Sequence, residues 1–278
     1  MKRLMMLTSA LMVLALIPNP ANGRAQNSDS TAGQMPQGPQ SAGSAVDKKV
    51  QADALQKAAE NGDAAAQEQL GHAYQTGGLG EVNYSKAFEL LKKSAEQGYS
   101  RAINELAILY LEGLGVEKNY DEAMKLFLKA TDNGDMKAPR YVGIIYENGY
   151  GSTKADYEKA QEYYRKAAGK GDITGQCLLG SLYERGLGIE QNYDLASEWY
   201  LKSATRGDLV ASGGMAALGN LYETRKDGKQ NLETAMDWYR EAANQGNATA
   251  KTDLERLTGG NSNPAAAGRN LCMSYHTH

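Results

Sequence analysis

Histidine and cysteine are scarce in this 278-residue chain, which has three of the first (His72, His276 and His278) and two of the second (Cys177 and Cys272). None of the histidines has a metal-ligating residue four positions further on in a helix, so no zinc site is expected and His72 reads as a surface residue or a binding contact. Nucleophile signatures are missing too. There is no Gly-x-Ser-x-Gly and no Ser-x-x-Lys, which excludes the ordinary esterase and serine β-lactamase chemistries. Positive charge is not in excess, since 30 Lys and Arg stand against 33 Asp and Glu. A chain without a clustered positive surface is a poor match for nucleic acid or an anionic membrane. The one long apolar run, Leu4 to Ile17, is interrupted by Thr8 and Ser9, and its roughly 14 residues fall short of the ~20 that span a bilayer.

That run follows Met1-Lys2-Arg3 and precedes the breaker and small-residue stretch Pro18 to Ala25, so residues 1 to 25 read as an export signal that is removed after Ala25, with Gly23 as the other cut site. Loss of Lys2, Arg3 and Arg24 leaves 27 bases against 33 acids, a net charge of −6. Residues 26 to 45 are Gln, Ser, Gly, Pro and Ala with Asp29 as the one charge, too little apolar surface to order a chain, and read as a flexible spacer. Two cysteines are few for an exported chain. A bridge between Cys177 and Cys272 is one option, but the tail from residue 259 to 278 is expected to be disordered, which weighs against it.

What the chain has in abundance is self-similarity. Gly62, Gly98, Gly134, Gly171, Gly207 and Gly246 recur at spacings of 36, 36, 37, 36 and 39 residues, a period that marks a solenoid. Twelve residues after each of the first four glycines stand Tyr74, Tyr110, Tyr146 and Tyr183, and Tyr222 follows after fifteen in the fifth unit, whose three extra residues belong to Ala211-Ser212-Gly213-Gly214-Met215. Four before each Tyr is Leu70, Leu106, Val142, Leu179 or Leu218, followed directly by Gly71, Ala107, Gly143, Gly180 or Gly219. A spacing of four keeps the large residues on one helical face, and the small residue beside them lets a second helix come close. Second helices are expected to start at Tyr84, Tyr120, Tyr157, Tyr193 and Leu232, each with Ala three residues on, then large residues such as Trp199-Tyr200 and Trp238-Tyr239. Most tyrosines and both tryptophans are therefore assigned to the core.

The order in the fourth unit, Leu179-Gly180-Ser181-Leu182-Tyr183, Gly186-Leu187-Gly188, Asn192-Tyr193, Ala196, Trp199-Tyr200, Ala204 and Gly207, resembles the Sel-one-like repeat, a relative of the tetratricopeptide repeat. The resemblance implies an all-α, right-handed α-solenoid of five helix-turn-helix repeats over residues 46 to 258, with a capping half-repeat at each end. It further implies a binding scaffold rather than an enzyme, without cofactors: a regulator of an envelope sensor, an immunity protein against a secreted effector, or a host-contact factor. A cell-envelope enzyme acting on cell-wall or lactam substrates is the alternative, weakened because the paired cysteines of penicillin-binding relatives are absent. The Gly-x-Gly triplets lie between helices with no following Lys-Ser or Lys-Thr, so they read as turns and not phosphate loops. The capped ends argue for a monomer.

If offsets 4, 8 and 12 from each glycine point inward, offsets 6, 10 and 13 lie about 180° away at 100° per residue. By analogy with tetratricopeptide packing this face lines a concave groove, and it is expected to present Asn104, Ile108, Leu111, Arg140, Ile144, Glu147, Ser181 and Glu184 to a partner protein. Ile108, Leu111 and Ile144 would form its apolar centre and the polar residues its rim, as in an interface hot spot.

Overall fold

The computed structural model describes residues 45–206, 208–259 and 270–273. The export-signal assignment, and the spacer assignment up to residue 44, lie outside the described residues; Ala45, the last residue assigned to the spacer, opens the first helix. Among the described residues there are twelve helices and no strand. They are α1 (Ala45–Glu60), α2 (Ala64–Thr76), α3 (Tyr84–Glu96), α4 (Ser100–Glu112), α5 (Tyr120–Asp132), α6 (Ala138–Asn148), α7 (Tyr157–Gly169), α8 (Ile173–Arg185), α9 (Tyr193–Ala204), α10 (Ser212–Thr224), α11 (Leu232–Asn244) and α12 (Ala248–Thr258). The pairs α2–α3, α4–α5, α6–α7, α8–α9 and α10–α11 are five helical hairpins, flanked by the half-repeats α1 and α12. The all-α solenoid expected from the period is the architecture found.

The second helices start where the sequence places them, and the reason is local. Asn83, Asn119, Asp156, Asn192 and Asn231 each accept, through the side chain, a hydrogen bond of 2.9–3.0 Å from the backbone N–H three residues on. Such a cap stabilises a helix by about 1 kcal/mol. The backbone N–H of the same five residues donates to the carbonyl of Tyr74, Tyr110, Tyr146, Tyr183 and Tyr222 at 2.8–2.9 Å. The repeated Tyr thus ends one helix and sets the start of the next through its backbone.

The turn between them also docks on the preceding repeat. In the fourth unit Gly186 closes α8 with φ +67°, and Gly188, at φ +65°, lies where a Cβ would come 2.6 Å from the backbone carbonyl carbon of Tyr157 at the start of α7. Only glycine satisfies both the left-handed φ and that contact. The fifth unit has Arg225 and Asp227 in place of these glycines. Buried Arg225 reaches back to the first turn of α9, 2.7 Å from Asp194, over the Tyr193 ring. An ion pair therefore does in the last turn what glycine packing does in the others.

Between the helices of a hairpin, large meets small. A Cβ on Gly71, Gly143, Gly180 or Gly219 would approach Leu91, Tyr164, Tyr200 or Tyr239 to 2.5–2.8 Å, so these four side chains fit because the facing residue is glycine. All four are essentially inaccessible, each stabilising by roughly 1.5–3 kcal/mol. Trp199 and Trp238, assigned to the core, are only half-buried and pack at its margin. One apolar cluster runs from α3 to α6 and another from α7 to α12 and the segment at Leu271 and Cys272, with Ile144 and Tyr146 packed against both. At the N-terminal end the core thins to Ala59, Ala66 and Leu70.

Candidate protein-interaction site

The eight residues assigned to an exposed groove are not all exposed. Asn104, Leu111, Arg140, Ser181 and Glu184 are buried, and Ile108, Ile144 and Glu147 are half-buried. Spacing at 100° per residue separates two faces only for a helix packed on one side. In the solenoid each first helix touches its own second helix and the second helix of the preceding repeat, and α8 and α2 also touch the next first helices, α10 and α4. Offsets 6 and 13 are consequently taken up between helices rather than presented.

Several of these polar residues have structural partners. Arg140 forms a buried pair with Asp172 (Nη1 to Oδ2, 2.8 Å), and the Asp172 carboxylate also caps α8 by accepting from the Gly175 N–H at 2.6 Å. Glu147 accepts the Tyr164 hydroxyl at 2.7 Å and pairs with Arg185 at 2.6 Å; Glu184 accepts the Tyr200 hydroxyl at 2.6 Å; Glu223 accepts that of Tyr239 at 2.9 Å and pairs with Arg256 at 2.8 Å. Burial first, and then the adjacent carboxylate, pushes the Tyr164 and Tyr200 hydroxyls well above the usual phenol range. They are fixed hydrogen-bond donors, and the two acids offered as groove contacts hold them.

Leu111, Ile144 and Glu147 do come together, at a partly open cavity of about 350 Å³ also lined by Tyr120, Tyr141, Tyr150 and Tyr164. Tyr120 and Tyr150 stack with centroids 4.8 Å apart. Asn148 is exposed on the lining. Ile108 packs on the core of the second and third repeats.

One wall of this cavity comes from the C-terminal segment, through Asn270 and Met273. Cys177 in α8 and Cys272 form a disulfide with Cα atoms 5.5 Å apart, and Leu271 and Cys272 are buried. This corrects the expectation of an unattached tail; the rest of it, 260–269 and 274–278, lies outside the described residues. The inserted glycines of the fifth repeat explain how the segment fits: a Cβ on Gly213 would lie 3.0 Å from the Leu271 carbonyl oxygen. Cys177 is thereby the covalent anchor of the C-terminal segment.

A second cluster escaped the sequence reading. Glu68 and His72 lie four residues apart on α2, facing Glu105 and Arg101 of α4. His72 Nδ1 is 3.3 Å from Glu105 Oε1, and Arg101 Nε is 2.9 Å from Glu68 Oε1 and 3.2 Å from Glu105 Oε1. Burial, and then the charge of Glu68, push the Glu105 carboxyl up to about 7. The sequence carried half of the signal, since Glu68 precedes His72 by one helical turn, whereas Glu105 comes from the next repeat.

The five stacked helical hairpins define a helical-repeat protein of the solenoid class. The Sel1 repeat model matches residues 64–99, 100–135, 140–172, 173–208 and 212–247, and the chain belongs to the Sel1 repeat family. Proteins built from these repeats are generally interaction scaffolds and typically not enzymes. No curated protein matches the chain significantly. Among solved structures, a Sel1 repeat protein from Oxalobacter formigenes is 24% identical over 82% of this chain and 99% of its own, with a TM-score of 0.63. A Sel1 repeat protein from Klebsiella pneumoniae is 24% identical over 74% of this chain and 99% of its own, with a TM-score of 0.52. The immunity protein Pa5087 from Pseudomonas aeruginosa is 23% identical over 82% of this chain and 80% of its own, with a TM-score of 0.48. Among the described residues, no helix is long and apolar enough to cross a membrane.

Proposed function

We propose that the protein is an exported, non-enzymatic scaffold that holds a segment of a partner protein against the cavity lined by Leu111, Ile144, Glu147 and Tyr150. The observation that carries this reading is the cavity itself, whose lining combines four tyrosines, Leu111 and Ile144 with the polar Lys118, Glu147 and Asn148, so that it can both bury an apolar side chain and hydrogen-bond its backbone. Export to the periplasm or beyond is supported by the Leu4 to Ile17 run and by the Cys177–Cys272 disulfide, a bond that persists in oxidising compartments. The non-enzymatic reading is supported by the commitment of Glu147 and Glu184 to tyrosine hydroxyls.

Affinity capture from the native envelope fraction tests it, comparing wild type with Ile108→Asp/Ile144→Asp and with Asn148→Arg. Because Ile108 and Ile144 are half-buried, the exposed Asn148 supplies the variant that leaves folding intact. The expected result is one protein retained by wild type and lost by Asn148→Arg at an unchanged melting temperature. Equal retention by both sinks the cavity reading, and turnover of a wall or lactam substrate by the pure protein would restore the enzyme alternative.

A further inference from the structure

We propose that Glu68, His72 and Glu105 form a binding site for a divalent transition metal of the zinc type, joining the first helices of the first and second repeats. Their donor atoms all lie within 4.8 Å of one another. The 3.3 Å between His72 Nδ1 and Glu105 Oε1 is about the edge of a tetrahedron with metal–ligand bonds of ~2.0–2.1 Å.

Two further observations separate this cluster from an ordinary acidic patch. Glu68 is 1% exposed and Glu105 9% exposed, yet Glu68 Oε1 and Glu105 Oε2 are buried without a hydrogen-bond partner, as is His72 Nδ1. Buried polar atoms of native proteins are rarely left without a hydrogen bond, and three of them converging from two helices, two held only by the ion-pair contacts with Arg101 and Glu105, point to a ligand that binds them all. The charges agree. Two buried carboxylates face a single guanidinium, an excess of negative charge that a dication relieves. Arg101 Nε donates to Glu105 Oε1 at 3.2 Å, but its side chain is 57% exposed and its contact with Glu68 is not aligned as a hydrogen bond, so one exchangeable bond is all that the metal displaces as the guanidinium swings into solvent.

One imidazole nitrogen with two carboxylates selects a borderline cation such as Zn²⁺ over Mg²⁺ or Ca²⁺, which take oxygen ligands. A fourth position goes to water. Three side chains from α2 and α4 held by one ion would clamp the end of the solenoid where the apolar core is thinnest.

The full chain, stripped with chelator and dialysed, is titrated with ZnCl₂ by calorimetry and followed by thermal unfolding. His276→Ala/His278→Ala serves as the background, so that these two residues do not contribute binding. One Zn²⁺ per chain and a raised melting temperature are expected, with no response to MgCl₂. His72→Ala, at a side chain 45% exposed, and Glu105→Gln are each expected to weaken binding more than tenfold while the metal-free circular dichroism stays unchanged. Arg101→Gln is expected to tighten it. The proposal is overturned if Zn²⁺ produces neither heat nor a melting shift, if His72→Ala binds undiminished, or if Mg²⁺ acts equally.

Discussion

Replacing Cys272 with Ala removes the one cross-link that two cysteines allow, and its effect can be worked from the topology. The bridge joins residues 95 apart, for which the chain-entropy relation gives about 4.7 kcal/mol of restraint on the unfolded chain. Part of this is returned, because the variant also frees the backbone of the segment around residues 270–273. The burial of Leu271 and the sulfur offsets some of that gain. A net loss of about 2–4 kcal/mol remains, in the usual range for a native disulfide. For a chain of this size 1 kcal/mol is about 2–4 °C, so the melting midpoint should fall by roughly 5–15 °C. The assay is circular dichroism at the helix band, scanned for wild type with and without a phosphine reductant, and for Cys272→Ala. Reduced wild type should superimpose on the variant, and the variant should ignore reductant. Coincident curves for oxidised and reduced wild type would refute the reasoning, because the segment would then contribute nothing to the fold it is tied to.

The buried hydroxyl pairs and the glycine contacts give sharper local tests. Tyr200→Phe leaves the buried Glu184 carboxylate without that donor and should destabilise by about 1–3 kcal/mol, whereas Tyr163→Phe, at a half-buried ring, should change the denaturant midpoint by under about 0.5 kcal/mol. Gly180→Ala gains about 1 kcal/mol of helix propensity but drives a methyl to within 2.8 Å of the Tyr200 ring. Overpacking of that kind opposes folding by about 1–3 kcal/mol, so urea unfolding should show a net loss, and a net gain would mean that the hairpin can open at no penalty.

The repeat architecture was legible because every level of the sequence repeats it. The start of each second helix follows from an Asn or Asp before an aromatic or Leu, and the structure shows why: that residue closes two backbone bonds at once, the cap and the link to the preceding Tyr. Solvent exposure was not legible, since a 100° wheel describes a helix with one buried face and the first helices of a solenoid have several. Arg140 is the plainest case, a charged residue on the nominally outer face that is paired within the core. The tail misled for a different reason. Its average composition is that of a disordered segment, but Leu271-Cys272-Met273 is a short apolar exception, and one covalent bond outweighs the mean. Glu68, His72 and Glu105 stayed hidden because two of them share a helix while the third arrives from the next repeat, a juxtaposition that needs the stacking of α2 on α4.

The irregularity of the fifth repeat and the behaviour of the tail have a common cause, and a double-mutant cycle can establish it. Without a partner, three extra residues including two adjacent glycines would weaken α10, given a helix penalty near 1 kcal/mol for each Gly. The nearest atoms to a Cβ on Gly213 all belong to Leu271 and Cys272, at 3.0–3.4 Å, so what glycine concedes in helix propensity it returns as room for the tethered segment. Gly213→Val in wild type should therefore push that segment outward and lower stability by about 1–3 kcal/mol. In the Cys272→Ala background, where the segment can leave, the same substitution should be neutral or stabilising, giving a coupling energy of at least about 1 kcal/mol between positions 213 and 272. Additive effects would show that the glycines serve the helix hairpin alone, and that the tail merely lies where the disulfide leaves it.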